Sequence, residues 1–327
     1  MCKNPLVSII IPCYNYDKYI EQCIQSALDQ TYGNIEVIVV DNGSTDNSLK
    51  KINTFLHDTR VLVIEFKNNI PPGSVNKSAV GVAIELSKGE YISLLYADDW
   101  YIKDKIEKQV KLFNKLPSSV GLVYCHGYKY SEKDKIKSKL KYQSVRGYVF
   151  KSYLTNGDVV IPISPLVKRY CYDIIGVSNP YTGSEYDFLA MSQYINFDFV
   201  DEYLVVMREH ELNDAKNINS VYRRVKHFHS KKLLTNSVKS RVGRLANLRM
   251  ARDYLSFGLA FITMMDMTNG KKAIFDAVKI YPLYIINPRV LVSIILLFIP
   301  ASMSKYFLSK LGKLSIKPQQ FGVKNYE

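Results

Sequence analysis

The sequence contains few cysteines, and their spacing excludes the common cysteine-based sites. There are 5 in 327 residues, and no two of them form a CxxC pair. This excludes a zinc ribbon, and an odd count in a chain of this length argues against a disulfide framework. Such cysteine usage fits a reducing compartment, and we therefore expect the protein to be cytoplasmic.

Long uncharged apolar runs are also missing. The longest covers 15 residues, 290–304, and is interrupted by Pro300. A membrane-spanning helix needs about 20 apolar residues. We therefore expect residues 283–304 to form an interfacial or a buried helix in preference to a full span. The apolar run at the N-terminus is shorter still, ends at Pro12, and is interpreted as a strand and not as a signal sequence.

Acidic residues are absent from one long segment. Residues 215–252 contain 11 Lys and Arg and no Asp or Glu, in a chain of formal net charge +14. Such a charge favours an anionic partner. Aromatic residues are sparse there and no nucleic-acid-binding motif is present, so we expect no nucleic acid partner. An anionic membrane surface is the simpler interpretation, with peripheral binding at the inner face of the cell membrane, and a solvated helix face is the alternative.

Strand and helix patterns alternate along the first hundred residues. Because this alternation is typical of βαβ units, it predicts an α/β fold with a mostly parallel sheet flanked by helices. A hydrophobic content of 47% is enough for a sizeable core. The predicted strands cover residues 6–11, 35–40, 61–66, 91–95 and 200–207, and the predicted helices 18–30, 46 to about 57, and 76–87.

The pattern changes in the second half of the chain. From residue 231 onwards it is helical to the end. The sequence therefore predicts an α/β domain over residues 1–212, a basic linker over 213–230, and a helical C-terminal region over 231–327.

Polar residues follow three of the predicted strands directly. They are Tyr14 with Asn15, the segment 41–46, and Asp98 with Asp99. In sheets of this kind ligands bind beyond the carboxyl ends of the strands. We therefore expect the three clusters to meet at one edge of the sheet and to build one site.

Two adjacent carboxylates after a buried strand favour a cation site. Asp98 and Asp99 repel each other unless a cation lies beside them. Oxygen ligands suit Mg²⁺ or Mn²⁺, and such an ion on a diphosphate would neutralise the charge of the leaving group. The alternative is a solvated acidic turn that caps a helix beginning near Ile102.

Other carboxylates have two interpretations each. Asp41 ends the second predicted strand and could accept hydrogen bonds from a base or a ribose, whereas Asp46 is expected to cap the next helix. Glu185 and Asp187 lie at a predicted helix start. A carboxylate there is suited to act as a general base, and the alternative is that it only stabilises the helix dipole.

Arg208 and His210 lie two residues apart in an extended segment. They therefore share a face, from which both could reach a diphosphate or a metal ion. The alternative for the histidine is a structural or solvated side chain.

Taken together, these motifs resemble family 2 inverting glycosyltransferases, which have the GT-A fold. The resemblance is clear over about residues 5–100, through VSIIIPCYN, QSALDQTYGNIEVIVVDNGSTDNS and SKGEYISLLYADDW. It is looser through GSEYDFLAMS and VDEYLVVMREH. The family implies a nucleotide-sugar-binding and catalytic domain over residues 1–212.

The resemblance implies a nucleotide site built from the first motifs. Pro12, Tyr14 and Asn15 match the loop that holds the nucleobase. Asp41 matches the acid that contacts the nucleoside, and Asp98 belongs to the acidic segment that binds the ribose and diphosphate.

The same resemblance implies the groups that carry the reaction. Asp99 and His210 match positions at the Mn²⁺ or Mg²⁺ ion, and Arg208 matches a diphosphate contact. Glu185 matches the usual catalytic base, with Asp187 as the second choice. The implied reaction inverts the anomeric carbon of a nucleotide-diphosphate sugar, most commonly a UDP-sugar, as the acceptor hydroxyl attacks it. The implied acceptor is a glycan or lipid-linked chain in cell-surface polysaccharide or glycolipid synthesis.

The sequence departs from the family pattern at two places in particular. Tyr96 stands where the family has the first acid of its Asp-x-Asp-Asp segment. Val80 and Gly81 stand where Arg-Asn is frequent, and we expect Lys77, or alternatively Asn76, to supply the missing contact. These departures keep an alternative open, namely a catalytically weak or inactive nucleotide-binding subunit of a polysaccharide-assembly complex. A dinucleotide-binding oxidoreductase is excluded because no G-x-G-x-x-G turn follows the first strand.

Overall fold

The computed structural model describes most of the chain. The described residues are 4–71, 78–177, 182–183, 185–211, 213, 222, 236–286, 288–296, 298–300, 302–304 and 306–307. The chain divides into two compact units. The first comprises residues 1–150 and 159–212, and the second comprises 151–158 and 213–327.

A nine-stranded sheet forms the centre of the first unit, with strand order β3-β2-β1-β4-β8-β6-β9-β5 and with β7 paired to β6. Its strands are β1 Val7–Cys13, β2 Ile35–Asp41, β3 Val61–Glu65, β4 Tyr91–Leu94, β5 Trp100–Tyr101, β6 Val120–Ser131, β7 Ile136–Leu140, β8 Leu166–Lys168 and β9 Asn196–Glu209. The helices between them are α1 Ile20–Leu28, α2 Ser48–Asn53, α3 Ala79–Leu86, α4 Lys105–Phe113, α5 Phe150–Asn156, α6 Arg169–Ile175 and α7 Glu185–Met191.

The first four strands are parallel, as the sequence predicts. β1 lies between β2 and β4, and β3 pairs with β2. Ile9, Ile10 and Ile11 of β1 are fully buried because helices cover both faces of a sheet of this kind. The α/β class is therefore confirmed. Since these strands run in one direction, their carboxyl ends deliver three polar loops to one edge.

The rest of the sheet is mixed and refines the expectation of a mostly parallel sheet. β8 runs antiparallel between β4 and β6, whereas β9 is parallel to β6. β5 and β7 pair antiparallel with β9 and β6. β5 has two residues and β8 has three. Strands that short show no periodicity, so pattern analysis could not have found them.

The second unit is helical, which agrees with the predicted C-terminal extension. Its elements are α8 Asn236–Thr263, α9 Met267–Ile280, a 3₁₀ helix at Pro282–Ile286, and α10 Pro288–Leu296. α8 and α9 approach closely at two glycines, since a Cβ on Gly258 would lie 2.6 Å from Ile274 and one on Gly270 would lie 2.9 Å from Ile262. None of the helices in the described residues is both long and apolar enough to cross a membrane.

Candidate active site at the carboxyl edge of the sheet

Asn15 joins the loop after β1 to the loop after β2. It has a positive φ of 59°, a conformation that Asn adopts more readily than most residues. Its backbone N–H donates to Ser44 Oγ (3.0 Å), and its side-chain Oδ1 accepts from the Thr45 N–H (2.8 Å). The first two polar clusters therefore meet, as expected, and form one surface.

Asp41 is the last residue of β2, and only one of its two carboxylate oxygens is hydrogen-bonded among the described residues. The residue is 1% exposed. Its Oδ2 accepts from the Ser44 N–H (3.1 Å), and Oδ1 has no hydrogen-bond partner among the described residues. A buried carboxylate oxygen without a donor is destabilising. Asp41 is therefore suited to accept a hydrogen bond from a ligand.

The carboxylates of Asp98 and Asp99 are buried, with residue exposures of 8% and 4%. Asp99 Oδ1 accepts from the Arg208 backbone N–H (2.8 Å). Burial, together with the negative charge of Asp98, raises the pKa of Asp99 well above its usual value. The alternative of a solvated turn is therefore wrong, and α4 begins at Lys105 and not near Ile102. Two buried acids that are neighbours in the chain form an environment that a cation would stabilise.

Arg208 and His210 converge on Asp98 from the end of β9. His210 Nε2 lies 3.0 Å from Asp98 Oδ2, and Arg208 Nε donates to the Asp98 carbonyl oxygen (2.9 Å). The expectation that the two side chains share a face agrees with this geometry. His210 is 6% exposed, so it is not a solvated histidine.

Aromatic side chains surround this pair. The Arg208 guanidinium lies 4.6 Å from the ring centroid of Tyr19 and 4.8 Å from that of Trp100. The His210 ring lies 4.8 Å from Tyr19 and 6.0 Å from Tyr16. Sequence analysis missed these neighbours. The only signal was the abundance of tyrosine, 25 residues in the chain, which does not say which of them reach the site.

A second group of contacts holds the loop that precedes α7. The Tyr96 hydroxyl donates to the Gly183 carbonyl oxygen (2.9 Å), and the Gly183 N–H donates to Asp187 Oδ2 (2.7 Å). Ser78 Oγ donates to the Thr182 carbonyl oxygen (2.8 Å). Tyr96 therefore connects the Asp98 loop to the loop before α7. Asp187 is 5% exposed and bonded to this loop, which favours a structural role for it.

The remaining predicted site residues are placed as follows. Pro12 pairs in register with Val40 in the sheet, and Tyr14 is 41% exposed at the edge. Asp46 Oδ1 accepts from the N–H of Ser48, the first residue of α2, as expected of a helix-start acid. Glu185 begins α7, but its side chain lies outside the described residues, as does Lys77.

The residues near Asp98 fit a divalent ion only in part. Within the described part of the chain, no group of three or more His, Cys, Asp and Glu side chains could hold a metal ion by itself. Asp98 and His210 supply an oxygen and a nitrogen 3.0 Å apart, next to the raised-pKa carboxyl of Asp99. Mg²⁺-type ions are commonly held by one or two carboxylates and completed by substrate phosphates. The donor set therefore suits an ion that arrives with a diphosphate.

Comparison with known proteins finds similarity to glycosyltransferases. Residues 8–166 match the model of glycosyl transferase family 2. An uncharacterised glycosyltransferase of Rickettsia typhi is 45% identical over 125 residues, which is 38% of this chain and 37% of that protein. Chondroitin synthase of Pasteurella multocida is 29% identical over 236 residues, which is 61% of this chain and 24% of that one. The matches thus cover well under half of the length of these relatives.

A solved structure shows the same fold over nearly the whole chain. It is S. aureus TarS 1–349 in complex with UDP-GlcNAc, with a TM-score of 0.64, 12% identity, and coverage of 96% of this chain and 92% of that one. At this identity the likeness shows the fold alone. The matched segment, residues 8–166, contains Asn15, Asp41, Asp98 and Asp99, and over that segment the chain matches the glycosyl transferase family 2 domain.

Proposed function

We propose that the protein is an inverting glycosyltransferase that moves a sugar from a nucleotide-diphosphate donor, with UDP as the nucleotide, to an acceptor hydroxyl. The observation that carries this proposal is the convergence of Arg208 and His210 on Asp98, beside the loops of Asn15 and Asp41. The Tyr16 ring, next to Asn15, lies 6.0 Å from the His210 ring, which brings the loop after β1 beside the buried acidic pair. The family 2 match and the UDP-GlcNAc complex of the structural neighbour support it.

The nucleotide would bind at the edge of the sheet formed by the first two loops. Asp41 Oδ1 would accept a hydrogen bond from the nucleoside, which would satisfy its buried oxygen. Pro12, Tyr14 and Asn15 would line the nucleobase, and Lys77 would add a polar contact from outside the described residues.

The diphosphate would lie at the acidic pair with Mn²⁺ or Mg²⁺. Asp98, Asp99 and His210 would hold the ion, which when bound supplies charge neutralisation for the departing diphosphate. Arg208 would add positive charge beside the phosphates. Its guanidinium is already fixed by the Asp98 carbonyl and by Gln22, so it contributes a preorganised charge and needs no rearrangement.

The catalytic base would be Glu185. A carboxylate at the start of α7 follows the Gly183 loop, which Tyr96 fastens to the Asp98 loop. The acceptor proton would pass to Glu185 as the acceptor oxygen bonds to the anomeric carbon and the bond to the diphosphate breaks, so the configuration inverts. Asp187 would hold the loop.

The wider role proposed is in cell-surface polysaccharide or glycolipid synthesis, with a glycan or lipid-linked acceptor. The partial match to chondroitin synthase supports a polymer-building context. We assign donor binding and catalysis to residues 1–212, and treat 213–230 as a basic linker that falls mostly outside the described residues. Residues 231–327 form the C-terminal region.

Peripheral attachment to an anionic membrane surface is part of this proposal. Apolar side chains on the C-terminal elements are exposed, with Phe275 at 68%, Ile286 at 75% and Phe298 at 84%. Lys271 and Lys272 are exposed on the same unit. Apolar insertion combined with basic residues is the usual means of interfacial binding. Sedimentation with anionic and with neutral vesicles tests it, and equal recovery in the supernatant with both would contradict it.

A second candidate function is favoured by one observation. Tyr96 occupies the position of a family acid and donates to the Gly183 carbonyl, so the ligand contact of that acid is absent. A catalytically weak or inactive nucleotide-binding subunit would tolerate this change. Such a subunit would bind UDP without transferring sugar.

The deciding experiment combines binding with turnover. Calorimetric titration of UDP with and without Mn²⁺ should give metal-dependent binding, and UDP-sugar hydrolysis should be lost in Glu185→Gln while UDP binding is kept. UDP binding without any turnover in the parent protein would favour the inactive subunit. If no nucleotide binds, whatever its base, both candidate functions are contradicted.

A further inference from the structure

The β6–β7 hairpin carries lysines at every second position. Lys135, Lys137, Lys139 and Lys141 alternate with Ile136, Ser138 and Leu140. Because successive side chains of a strand point to opposite faces, Lys137 and Lys139 share one face of β7. All four are exposed, and Lys137 and Lys139 lie within β7 itself, about 7 Å apart along the strand.

Most of this charge is not neutralised by neighbouring acids. Among the described residues, Lys141 lies 3.5 Å from Asp201, but no carboxylate lies within 4 Å of Lys135, Lys137 or Lys139. The acids of the hairpin are engaged elsewhere. Glu132 pairs with Lys18 and Tyr19, which together lower its pKa to about 2, and Asp134 bonds to Ser131. The hairpin therefore presents an open positive surface.

Tyrosines of β6 continue this surface across the sheet. Lys137 pairs with Tyr130 and Lys139 pairs with Tyr128, so each tyrosine lies beside a lysine on the same face. The Lys137 Nζ lies 4.0 Å from the Tyr128 ring centroid. Tyr128 and Tyr130 are partly exposed, so they combine aromatic faces with neighbouring cations.

The same row leads into the candidate site. Tyr130 pairs with Arg208 on β9, and its ring centroid lies 5.5 Å from the Arg208 guanidinium and 5.6 Å from the Trp100 ring. Arg208 in turn contacts Asp98. The surface from Lys137 through Tyr130 to Arg208 is therefore continuous, and it ends where the proposed diphosphate lies.

We propose that this lysine–tyrosine face, defined by Lys137, Lys139, Tyr128 and Tyr130, binds the acceptor, and that the acceptor is an anionic glycan. The inference rests on the proposed function. Regularly spaced cations match repeated negative groups along a polymer, and the tyrosine rings offer apolar faces for sugar rings. A chain lying along this face would present its end to Asp98 and the loop before α7.

The same lysines have an alternative explanation that is purely structural. β7 pairs only with β6 among the described strands, and lysines on an edge strand discourage pairing with another chain. That reading predicts a change in association when the lysines are removed. It does not predict a change in glycan binding by the monomer, and it gives no role to the alignment with Tyr130 and Arg208.

The test uses the full-length protein and three polymers. They are unsulfated chondroitin oligosaccharide, which carries one carboxylate per disaccharide, neutral dextran, and inorganic polyphosphate, which is anionic without sugar rings. Binding is measured on the monomeric fraction for the parent, for Lys137→Ser with Lys139→Ser, and for the matched pair Lys88→Ser with Lys115→Ser. The control lysines are also exposed, and they lie after α3 and α4, in the segments that lead into the amino ends of β4 and β6.

We expect chondroitin affinity to fall about tenfold or more in the Lys137/Lys139 pair and to change less than about twofold in the control pair. The charge-conserving variant Lys137→Arg with Lys139→Arg should restore it. Equal losses in both serine pairs, unchanged binding by the Lys137/Lys139 pair, or polyphosphate binding as tight as chondroitin would each overturn the proposal. UDP titration of the same variants separates the two proposals, because loss of the acceptor face leaves UDP affinity unchanged.

Discussion

His210 Nε2 and Asp98 Oδ2 lie 3.0 Å apart, although 112 residues separate them in the chain. The contact brings the end of β9 to the loop after β4, and the Tyr19 ring covers the imidazole. It is a buried pair at the point where the proposed diphosphate and metal ion would meet. The contact therefore gives the most direct test of the site.

Replacement of this histidine should weaken the dependence of nucleotide binding on the metal ion. In His210→Ala the proposed ion would lose a ligand and Asp98 would lose its contact with Nε2, so Mn²⁺-dependent UDP affinity should fall by about 10- to 100-fold. Calorimetric titration of UDP at several Mn²⁺ concentrations measures it. The exposed His57, which bonds to the Thr54 carbonyl, provides the control variant His57→Ala. Unchanged Mn²⁺ dependence of UDP affinity in His210→Ala would contradict the assignment of His210 to the metal site.

The Tyr96 hydroxyl should affect turnover more than nucleotide affinity. Tyr96→Phe deletes its hydrogen bond to the Gly183 carbonyl and so removes one of the contacts that hold the loop before α7. We expect kcat to fall by about tenfold, since a small misplacement of a catalytic group is costly, with UDP affinity within about twofold of the parent. Steady-state kinetics and UDP titration measure the two effects. Tyr194→Phe, at an exposed tyrosine, should change neither, and an equal fall in that variant would contradict the loop role.

Gly183 should tolerate alanine poorly. Its φ is +96°, and an added Cβ would lie 2.8 Å from the Val80 side chain. Strain and contact together should lower the free energy of unfolding by about 1–3 kcal/mol, as measured by chemical denaturation. Gly147 has a φ of +77° with no atom within 4 Å of an added Cβ, so Gly147→Ala isolates the backbone strain. Equal losses in the two variants would show that packing against Val80 contributes nothing.

A fully buried lysine should make stability dependent on alkaline pH. Burial lowers the pKa of the Lys105 ammonium from 10.5 to about 7, even though Nζ donates to Ser93 Oγ (2.9 Å). The unfolded chain therefore binds more protons than the folded one between about pH 7 and 10.5. The free energy of unfolding must therefore rise with pH across that window. Below about pH 7 the lysine is charged in both states, and the full cost of burying that charge is present.

The matching substitution is Lys105→Met, which keeps the length of the side chain without the charge. At pH 7 it should raise the free energy of unfolding by several kcal/mol at most, with roughly 1 kcal/mol offset by the lost hydrogen bond. The difference between variant and parent should shrink towards pH 10. Urea denaturation of both proteins at pH 7, 8.5 and 10 measures it, and a difference that does not vary with pH would contradict the shifted pKa of Lys105.

Much of the parallel sheet and of the nucleotide edge could be predicted from local pattern. The strands β1 to β4 are predicted to within one or two residues, since their apolar runs are continuous and their ends are marked by polar loops. Tyr14, Asn15, Asp41, Asp98 and Asp99 follow from the rule that such loops meet at one edge. Asn15 shows why the rule works here, because it bonds to the second loop directly.

Other features could not be predicted from local pattern. The role of Tyr96 is an example, because its hydroxyl meets a carbonyl 87 residues away. The aromatic neighbours of Arg208 are another, since Tyr19 precedes α1 whereas Trp100 and Tyr130 come from β5 and β6, all distant in sequence from Arg208. The register of β5 and β6 against β9 places Trp100 and Tyr130 near Arg208, and no local periodicity carries that register.

The sequence by itself determined the α/β class, the parallel strands and the positions of the acidic loops, because apolar runs and their polar ends are local properties of the chain. Only the tertiary structure decided which side chains those loops meet. It paired His210 with Asp98, placed Tyr96 against Gly183, and put the lysines of β7 in line with Tyr130 and Arg208. The physical reason is that contacts between distant segments depend on how strands are ordered and aligned in the sheet, which local propensity does not specify.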